Sequence, residues 1–157
     1  MKKVNHVIVK RATIRDFDTL REHRSALHEE LRHRTKLERG NGDRAYAKLM
    51  IDMSRKRRFV GFLAYVDGGI AGSGCVWLRE STPNPVRKQL RTYAYLLSMY
   101  TIPAHRNKGV ATAIIKEAMK WSKSHGYPTL LLHASDMGRH VYSKLGFSDT
   151  HEMRVKL

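Results

Sequence analysis

Residues 105–111, His-Arg-Asn-Lys-Gly-Val-Ala, have the residue types of an anion-binding turn. An apolar run at Tyr95–Thr101 precedes them and predicts a strand. The first turn of a helix leaves backbone N–H groups without partners, and its dipole favours negative charge. Gly109 lets the backbone approach a ligand closely, while Arg106 and Lys108 add positive charge. A strand, a basic turn and a helix in this order predict a phosphate-binding site. The apolar residues of that helix recur at three- and four-residue steps: Val110, Ala113, Ile114, Ala118 and Trp121.

Two motifs carry a family resemblance. The order Arg106-x-x-Gly109-x-Ala111 resembles the acetyl-CoA signature of the GNAT N-acetyltransferases. Residues 140–147, with Tyr142 followed by Leu-Gly-Phe, resemble the closing motif of that family. The matches span residues 60–150. The resemblance implies an α/β GNAT (acyl-CoA N-acyltransferase) fold, in which helices flank a mixed central β-sheet with splayed central parallel strands.

The resemblance also implies where acetyl-CoA binds. The splayed strands would be Leu96–Thr101 and Leu130–Ala134, and the cofactor would lie in the cleft between them. Backbone N–H groups around Tyr100 and Thr101 would polarise the thioester carbonyl. Ser135 stands where many family members carry asparagine, so its contact with the pantetheine arm would be only partly kept. The cofactor-binding residues implied are Tyr100, Thr101, Ile102, Arg106, Asn107, Lys108, Gly109, Val110, Ala111 and Ser135.

Two side chains are candidates for proton transfer. By resemblance, Tyr142 lies near the cofactor sulfur, where a phenol can protonate the leaving thiolate; the alternative is an aromatic core residue. His133, with an ordinary pKa near 6.5, is a candidate general base, and the alternative is a hydrogen-bonded structural histidine.

The acidic residues of the first helical segment, Glu29, Glu30 and Glu38, are interpreted as surface charges. Their expected partners are the neighbouring bases Arg32, Arg34 and Lys36. Three histidines in the same segment lie five residues apart, which does not put them on one helix face, so no metal site is expected. They are His23, His28 and His33.

Composition limits the class of protein. The chain has 157 residues, of which 41% are hydrophobic, which fits a single globular domain. By the resemblance, residues 1–157 are one N-acetyltransferase domain. No apolar run approaches the ~20 residues that a membrane span needs, and the basic start lacks the apolar core of a signal peptide. The single cysteine, Cys75, is typical of a cytoplasmic protein.

The net charge of +16 raises the alternative of nucleic-acid binding. However, the basic residues are spread along the chain, and only Arg55–Arg58 form a compact run. No nucleic-acid-binding motif accompanies them. The charge favours surface solvation and a polyanionic cofactor, although it exceeds what acetyl-CoA alone explains.

Apolar periodicity and turn residues predict the order β-α-α-β-β-β-α-β-α. Strand Val7–Ala12 precedes a helix capped by Thr13 and running to Arg39. Residues 40–43, Gly-Asn-Gly-Asp, predict a break before a second helix at Ala45–Ser54. A hairpin follows, with strands 59–66 and 70–78 joined by Asp-Gly-Gly. A loop at Ser81–Pro85 and a closing edge strand at Glu152–Leu157 complete the pattern.

The sequence therefore favours an enzyme that transfers acetyl from acetyl-CoA to a primary amine, by direct transfer in a ternary complex. The acceptor is a small molecule or a peptide, and the positive charge disfavours polyamines and aminoglycosides. The pocket-forming segments, Glu22–Asp52 and Arg79–Leu90, carry no acceptor signature. The alternatives are a non-catalytic acyl-CoA-binding module and, less favoured, a nucleic-acid-binding protein. Related domains are often dimers, and no residue pattern here decides the oligomeric state.

Overall fold

A computed structural model describes residues 6–32, 36–81 and 91–156. The elements follow the predicted order, with short 3-10 turns at Ile14–Asp16 and Pro103–His105. The strands are β1 (Val7–Arg11), β2 (Phe59–Val66), β3 (Gly69–Glu80), β4 (Thr92–Thr101) and β5 (Leu130–Leu132). The helices are α1 (Phe17–Arg32), α2 (Lys36–Arg55), α3 (Val110–Ser124) and α4 (Asp136–Lys144).

The strands form one mixed sheet in the order β1-β2-β3-β4-β5. The first three pairs are antiparallel, whereas β4 and β5 are parallel. The predicted hairpin is confirmed, and its turn places Asp67 at φ 50° and Gly68 at φ 81°. These two positive angles match the twist of the flanking strands. The α/β class and the mixed sheet flanked by helices are as predicted.

Two hydrophobic clusters hold the helices against opposite faces of the sheet. On one face, Val110, Ile114 and Ala118 of α3 pack on β2, β3 and β4 and are fully buried. On the other face, Leu20 of α1 and Met50 of α2 pack against strand residues. Because α3 is fixed by its apolar stripe, its N-terminus is held beside the C-terminal end of β4.

The C-terminal half of β4 departs from regular pairing. Parallel pairing with β5 ends at Leu96 opposite Leu132, while β4 continues to Thr101. In the same half, the register with β3 shifts between Ser73 and Cys75, so that β4 contains one extra residue. Ser98 lies there with φ 53°. A bulge of this kind bends a strand and increases its twist, which separates β4 from β5 beyond Leu96.

Two expectations about the helical segment need correction. The predicted break at residues 40–43 is wrong, because α2 runs through Gly40 and Gly42 without interruption. Glycine inside a helix costs about 1 kcal/mol relative to alanine. Burial of Tyr46 and Met50 on the same helix outweighs that cost, since tertiary packing supplies most helical stability in proteins. The first helix also ends at Arg32, well before Arg39.

The closing edge strand is also wrong for residues 152–156, which form no strand. Met153 and Val155 are 94% and 75% exposed, so their alternating pattern meets no partner strand in the part of the chain described. Leu157 and the predicted loop residues 82–85 lie outside the described residues. No helix in the described ranges is long and apolar enough to cross a membrane.

Candidate active site

The basic turn before α3 has the backbone shape of an anion site. Asn107 and Gly109 have φ angles of 59° and 81°, and Gly109 is the residue directly before the helix. A Cβ on Gly109 would meet nothing within 4 Å, so the space beside it is open. Lys108 donates to the Ala104 carbonyl at 2.8 Å, which fixes the turn. The first N–H groups of α3 have no partner within the helix, so this turn fits a diphosphate group.

Arg106 ties this turn to two other elements. Its Nε donates to the Thr101 carbonyl at 3.2 Å, and its Nη2 donates to both carboxylate oxygens of Glu30 on α1. The interpretation of Glu30 as paired with neighbouring bases of its own helical segment is thereby corrected. Arg106, implied as a cofactor ligand, in this structure braces the turn against β4 and α1.

The end of β4 brings Tyr100, Thr101 and Ile102 beside the turn. The Ile102 N–H donates to the Ala71 carbonyl at 2.9 Å, and its own carbonyl accepts from His105. A Cβ on Gly72 would lie 2.6 Å from the Tyr100 carbonyl, so β3 approaches β4 closely here. The N–H and the carbonyl of Ile102 thus both form hydrogen bonds within the protein.

The Tyr100 side chain lies against α1. Its hydroxyl bonds to Glu30, and its ring lies 5.2 Å from that of His23. Burial, followed by the nearby charge of Glu30, raises the pKa of Tyr100 above its ordinary value. The phenol is therefore protonated at neutral pH.

A buried histidine that the sequence did not single out for catalysis completes this region. His23 on α1 is 9% exposed, and its Nδ1 lies 2.8 Å from the Ser73 hydroxyl. Burial lowers its pKa, so the imidazole is neutral at pH 7. Its place on the apolar face of α1, three residues after Leu20, was the available sequence signal. Five polar side chains thus lie together between α1 and the end of β4: His23, Glu30, Ser73, Tyr100 and Arg106.

Tyr142 lies on α4, where its ring packs edge-on to Phe147 with centroids 5.7 Å apart. The Tyr142 carbonyl accepts the N–H groups of Leu145 and Phe147, and Gly146 between them has φ 89°. The Leu-Gly-Phe motif thus ends α4 and sets the position of the tyrosine. Burial raises the pKa of Tyr142. Its phenol is therefore protonated at neutral pH and able to donate.

Ser135 lies at the start of α4. Its hydroxyl accepts the Gly138 N–H at 3.2 Å, which makes it the cap of the helix. A Cβ on Gly138 would lie 2.9 Å from the Tyr142 ring. Ser135 therefore helps to position Tyr142, whereas the sequence resemblance implied a contact with the cofactor.

His133 lies just beyond β5 and is largely exposed. Its Nδ1 bonds to the Tyr95 hydroxyl, and its Nε2 lies 4.0 Å from Glu152. Tyr95 stands on β4 before the bulge, away from Tyr100. The structure therefore gives His133 the hydrogen-bonded environment of the structural alternative.

No group of three metal-ligating side chains comes together among the residues described. His23 bonds to Ser73, and His33 lies outside the described residues.

Residues 14–147 match the model of the Acetyltransferase (GNAT) family. No curated protein matches the sequence.

Three solved structures show the same fold. A GCN5-related N-acetyltransferase from Ralstonia eutropha is 22% identical with a TM-score of 0.83, over 97% of this chain and 99% of that one. A predicted acetyltransferase from Clostridium acetobutylicum with acetyl-CoA is 23% identical, TM-score 0.79, over 97% and 96%. A ribosomal-protein-alanine N-acetyltransferase from Brucella melitensis is 20% identical, TM-score 0.69, over 97% and 99%. The family match covers most of the chain, and the chain belongs to the GNAT acetyltransferase family.

Proposed function

We propose that the chain is an N-acetyltransferase of one domain, residues 1–157, working in the cytoplasm. It transfers acetyl from acetyl-CoA to a primary amine of a small molecule or peptide, directly and in a ternary complex. The observation that carries this proposal is the open turn at Gly109 beside the end of β4, at the point where β4 has parted from β5. That arrangement offers an anion site and a cleft next to each other.

The chain's own residues fit acetyl-CoA. The turn of Asn107, Lys108 and Gly109 with the first N–H groups of α3 binds the diphosphate. Arg106 holds the turn to Thr101 and Glu30, so the site is formed before the cofactor arrives. The pantetheine arm lies along β4 beyond Leu96, where backbone groups have no strand from β5 beside them. The solved structure from Clostridium acetobutylicum, with acetyl-CoA, is of the same fold.

The bound cosubstrate supplies an activated acyl thioester. Main-chain N–H groups around Tyr100 and Thr101 polarise its carbonyl. Tyr142 donates a proton to the leaving thiolate, because burial keeps its phenol protonated.

His23 is better placed than His133 to accept the amine proton. Its ring contacts Tyr100, and its lowered pKa keeps it neutral. His133 instead bonds to Tyr95, on the part of β4 before the bulge. We therefore assign the proton acceptor to His23.

The test is acetyl-CoA binding by calorimetry, followed by a panel of amine acceptors in which free thiol release reports transfer. The panel includes amino-acid amides, peptide N-termini, polyamines and an aminoglycoside. We expect binding and acceptor-dependent thiol release. Binding without thiol release on any amine would support the non-catalytic module, and the absence of binding would exclude both.

A further inference from the structure

A cavity of about 430 Å³ lies at the far end of α3 from the Gly109 turn. Trp121 and His125 line it from α3, and Phe17 and Phe59 line it from α1 and β2. Trp121 follows Val110 by eleven residues, which is ~16 Å along a helix. The cavity is therefore separate from the proposed acetyl-CoA site. Its volume lies within the ~300–1,000 Å³ typical of small-molecule sites.

The cavity exists because β1 is shorter than β2. Ala12, just after β1, donates to the Gly61 carbonyl at 2.8 Å, and the chain then turns into α1. β2 continues to Phe59 with no β1 residue beside it. The start of α1 lies beside this gap on one face of the sheet, and the end of α3 lies beside it on the other face.

The charges that line the cavity are all of one sign. Arg11 and Arg57 lie in its wall, and the lining includes no aspartate or glutamate. Neither arginine forms an ion pair with another described residue. Two arginines in one cavity lining without a carboxylate favour an anionic ligand.

The rest of the wall is apolar and aromatic. Phe17 and Phe59 pack edge-on with centroids 6.0 Å apart on the α1 face of the sheet, whereas Val60 and Trp121 belong to the cluster on the α3 face. Trp121 stacks on His125 at 4.4 Å. The lining therefore combines aromatic side chains from both faces of the sheet with two arginines.

Arg57 occupies a backbone position that favours glycine. It follows α2 with φ 56°, and the Arg58 N–H bonds to the Met53 carbonyl at 2.7 Å. Glycine is the usual residue at such a helix end, since a side chain there strains the backbone. An arginine in that conformation, among the residues that line a cavity, is the kind of local strain found at binding sites.

We propose that this cavity binds a small organic anion, a carboxylate on an apolar ring. Arg11 and Arg57 would bind the carboxylate, and the ring would pack against Phe17, Phe59 and Trp121. This site is additional to the acetyl-transfer site and does not depend on the proposed function.

The probe is cyclohexanecarboxylate, which does not absorb where tryptophan does. The chain has two tryptophans, so a Trp77→Phe background leaves Trp121 as the single reporter at the cavity. We expect a saturable change in Trp121 fluorescence. The neutral cyclohexanecarboxamide, the ring-free acetate and inorganic phosphate should each bind at least tenfold more weakly. No saturable change with cyclohexanecarboxylate, or equal binding of any of these three compounds, would overturn the proposal.

Two variants locate the charges. Arg57→Gly and Arg11→Gln should each raise the Kd of cyclohexanecarboxylate at least tenfold. Arg57→Gly also removes the strained side chain, so the protein should remain folded, as judged by circular dichroism. Arg55→Gln is the matched control, because it removes the same charge from the same helix end but lies outside the cavity lining. Unchanged Kd in both cavity variants, or an equal loss in the control, would reject the site.

Discussion

The Arg106 guanidinium donates to both carboxylate oxygens of Glu30, at 2.7 and 2.8 Å, although the two residues are 76 positions apart. This contact joins the turn proposed to bind phosphate to α1, the helix that carries His23. It also gives the signature arginine a partner within the protein before any ligand is present.

A double-mutant cycle should measure this contact. We expect Glu30→Gln and Arg106→Gln to be coupled by about 0.2–1 kcal/mol, because both side chains are about one third exposed and screened by water. Urea denaturation of the four proteins at low salt gives the coupling, and 0.5 M salt should largely remove it. A coupling that salt leaves unchanged would show that the interaction is not an exposed ion pair.

Gly109→Glu should abolish acetyl-CoA binding, because it places bulk and negative charge where the diphosphate must lie. Gly126→Glu is a matched control at the other end of α3: it has the same φ of 81° and the same open space beside its Cα. Both variants accept the same backbone strain, and the helix dipole makes the control the less stable of the two, so loss of binding confined to Gly109→Glu is not a folding defect. Equal cofactor affinity in the two would remove the phosphate site from this turn.

Tyr142→Phe should reduce turnover by ~10²-fold, the lower end of the range for general acid catalysis. The thiol of coenzyme A is a tolerable leaving group, with a pKa comparable to the ~8.5 of cysteine. Because the ring is kept, acetyl-CoA affinity should change little. Tyr127→Phe serves as the control for removal of a phenol hydroxyl elsewhere. Wild-type turnover in Tyr142→Phe would mean that the tyrosine only packs.

His23 should make stability depend on pH. Burial lowers its folded-state pKa, so the unfolded chain binds the proton more readily. Protonation of His23 does not change the free energy of unfolding above its unfolded-state pKa of ~6.5. Below that pH, the free energy of unfolding decreases until the pH reaches the lower folded-state pKa. Between pH 8 and pH 5, the denaturation midpoint should therefore decrease less in His23→Gln than in the unaltered protein. Parallel curves for the two proteins would contradict the lowered pKa.

Gly42→Ala should stabilise the protein by about 0.5–1 kcal/mol, since Gly42 lies inside α2 and a Cβ there meets nothing within 4 Å. If residues 40–43 formed the break that the sequence suggested, the same change would give no gain. Thermal denaturation distinguishes the two outcomes. Gly74→Ala is the contrasting variant and should destabilise, because its Cβ would lie 2.4 Å from the Met99 sulfur and 2.8 Å from Cγ2 of the buried Ile114.

The features predicted correctly from sequence are those with local causes. The Asp67–Gly68 turn and the start of α3 after Gly109 depend on residues adjacent in the chain. The predicted break at residues 40–43 was wrong because the low helix propensity of glycine is a weak local preference that tertiary packing overrides. The partner of Glu30 could not be predicted, since α1 and the turn meet only after the sheet has formed.

The site residues show the same division. Tyr142 is positioned by a motif that lies within six residues of it, so its helix and its ending were readable. Ser135 stays a predicted cofactor contact, and the sequence did not reveal that its hydroxyl also caps α4 by accepting the Gly138 N–H. His23 was visible as a polar residue on an apolar helix face, but its partner Ser73 lies on β3, 50 positions away.

The extra residue at Ser98 changes the phase of side-chain alternation along β4. Before it, Ala94 and Leu96 face α3; after it, Met99 faces α3 and Tyr100 faces α1. A regular strand of the same residues would send Tyr100 to the opposite face, away from His23 and Glu30. Met99 and Tyr100 therefore keep their present faces because β4 absorbs Ser98 in a bulge. Deletion of Ser98 would leave both side chains on these faces but would remove the bulge, so it separates the effect of the bend of β4 from the effect of side-chain direction.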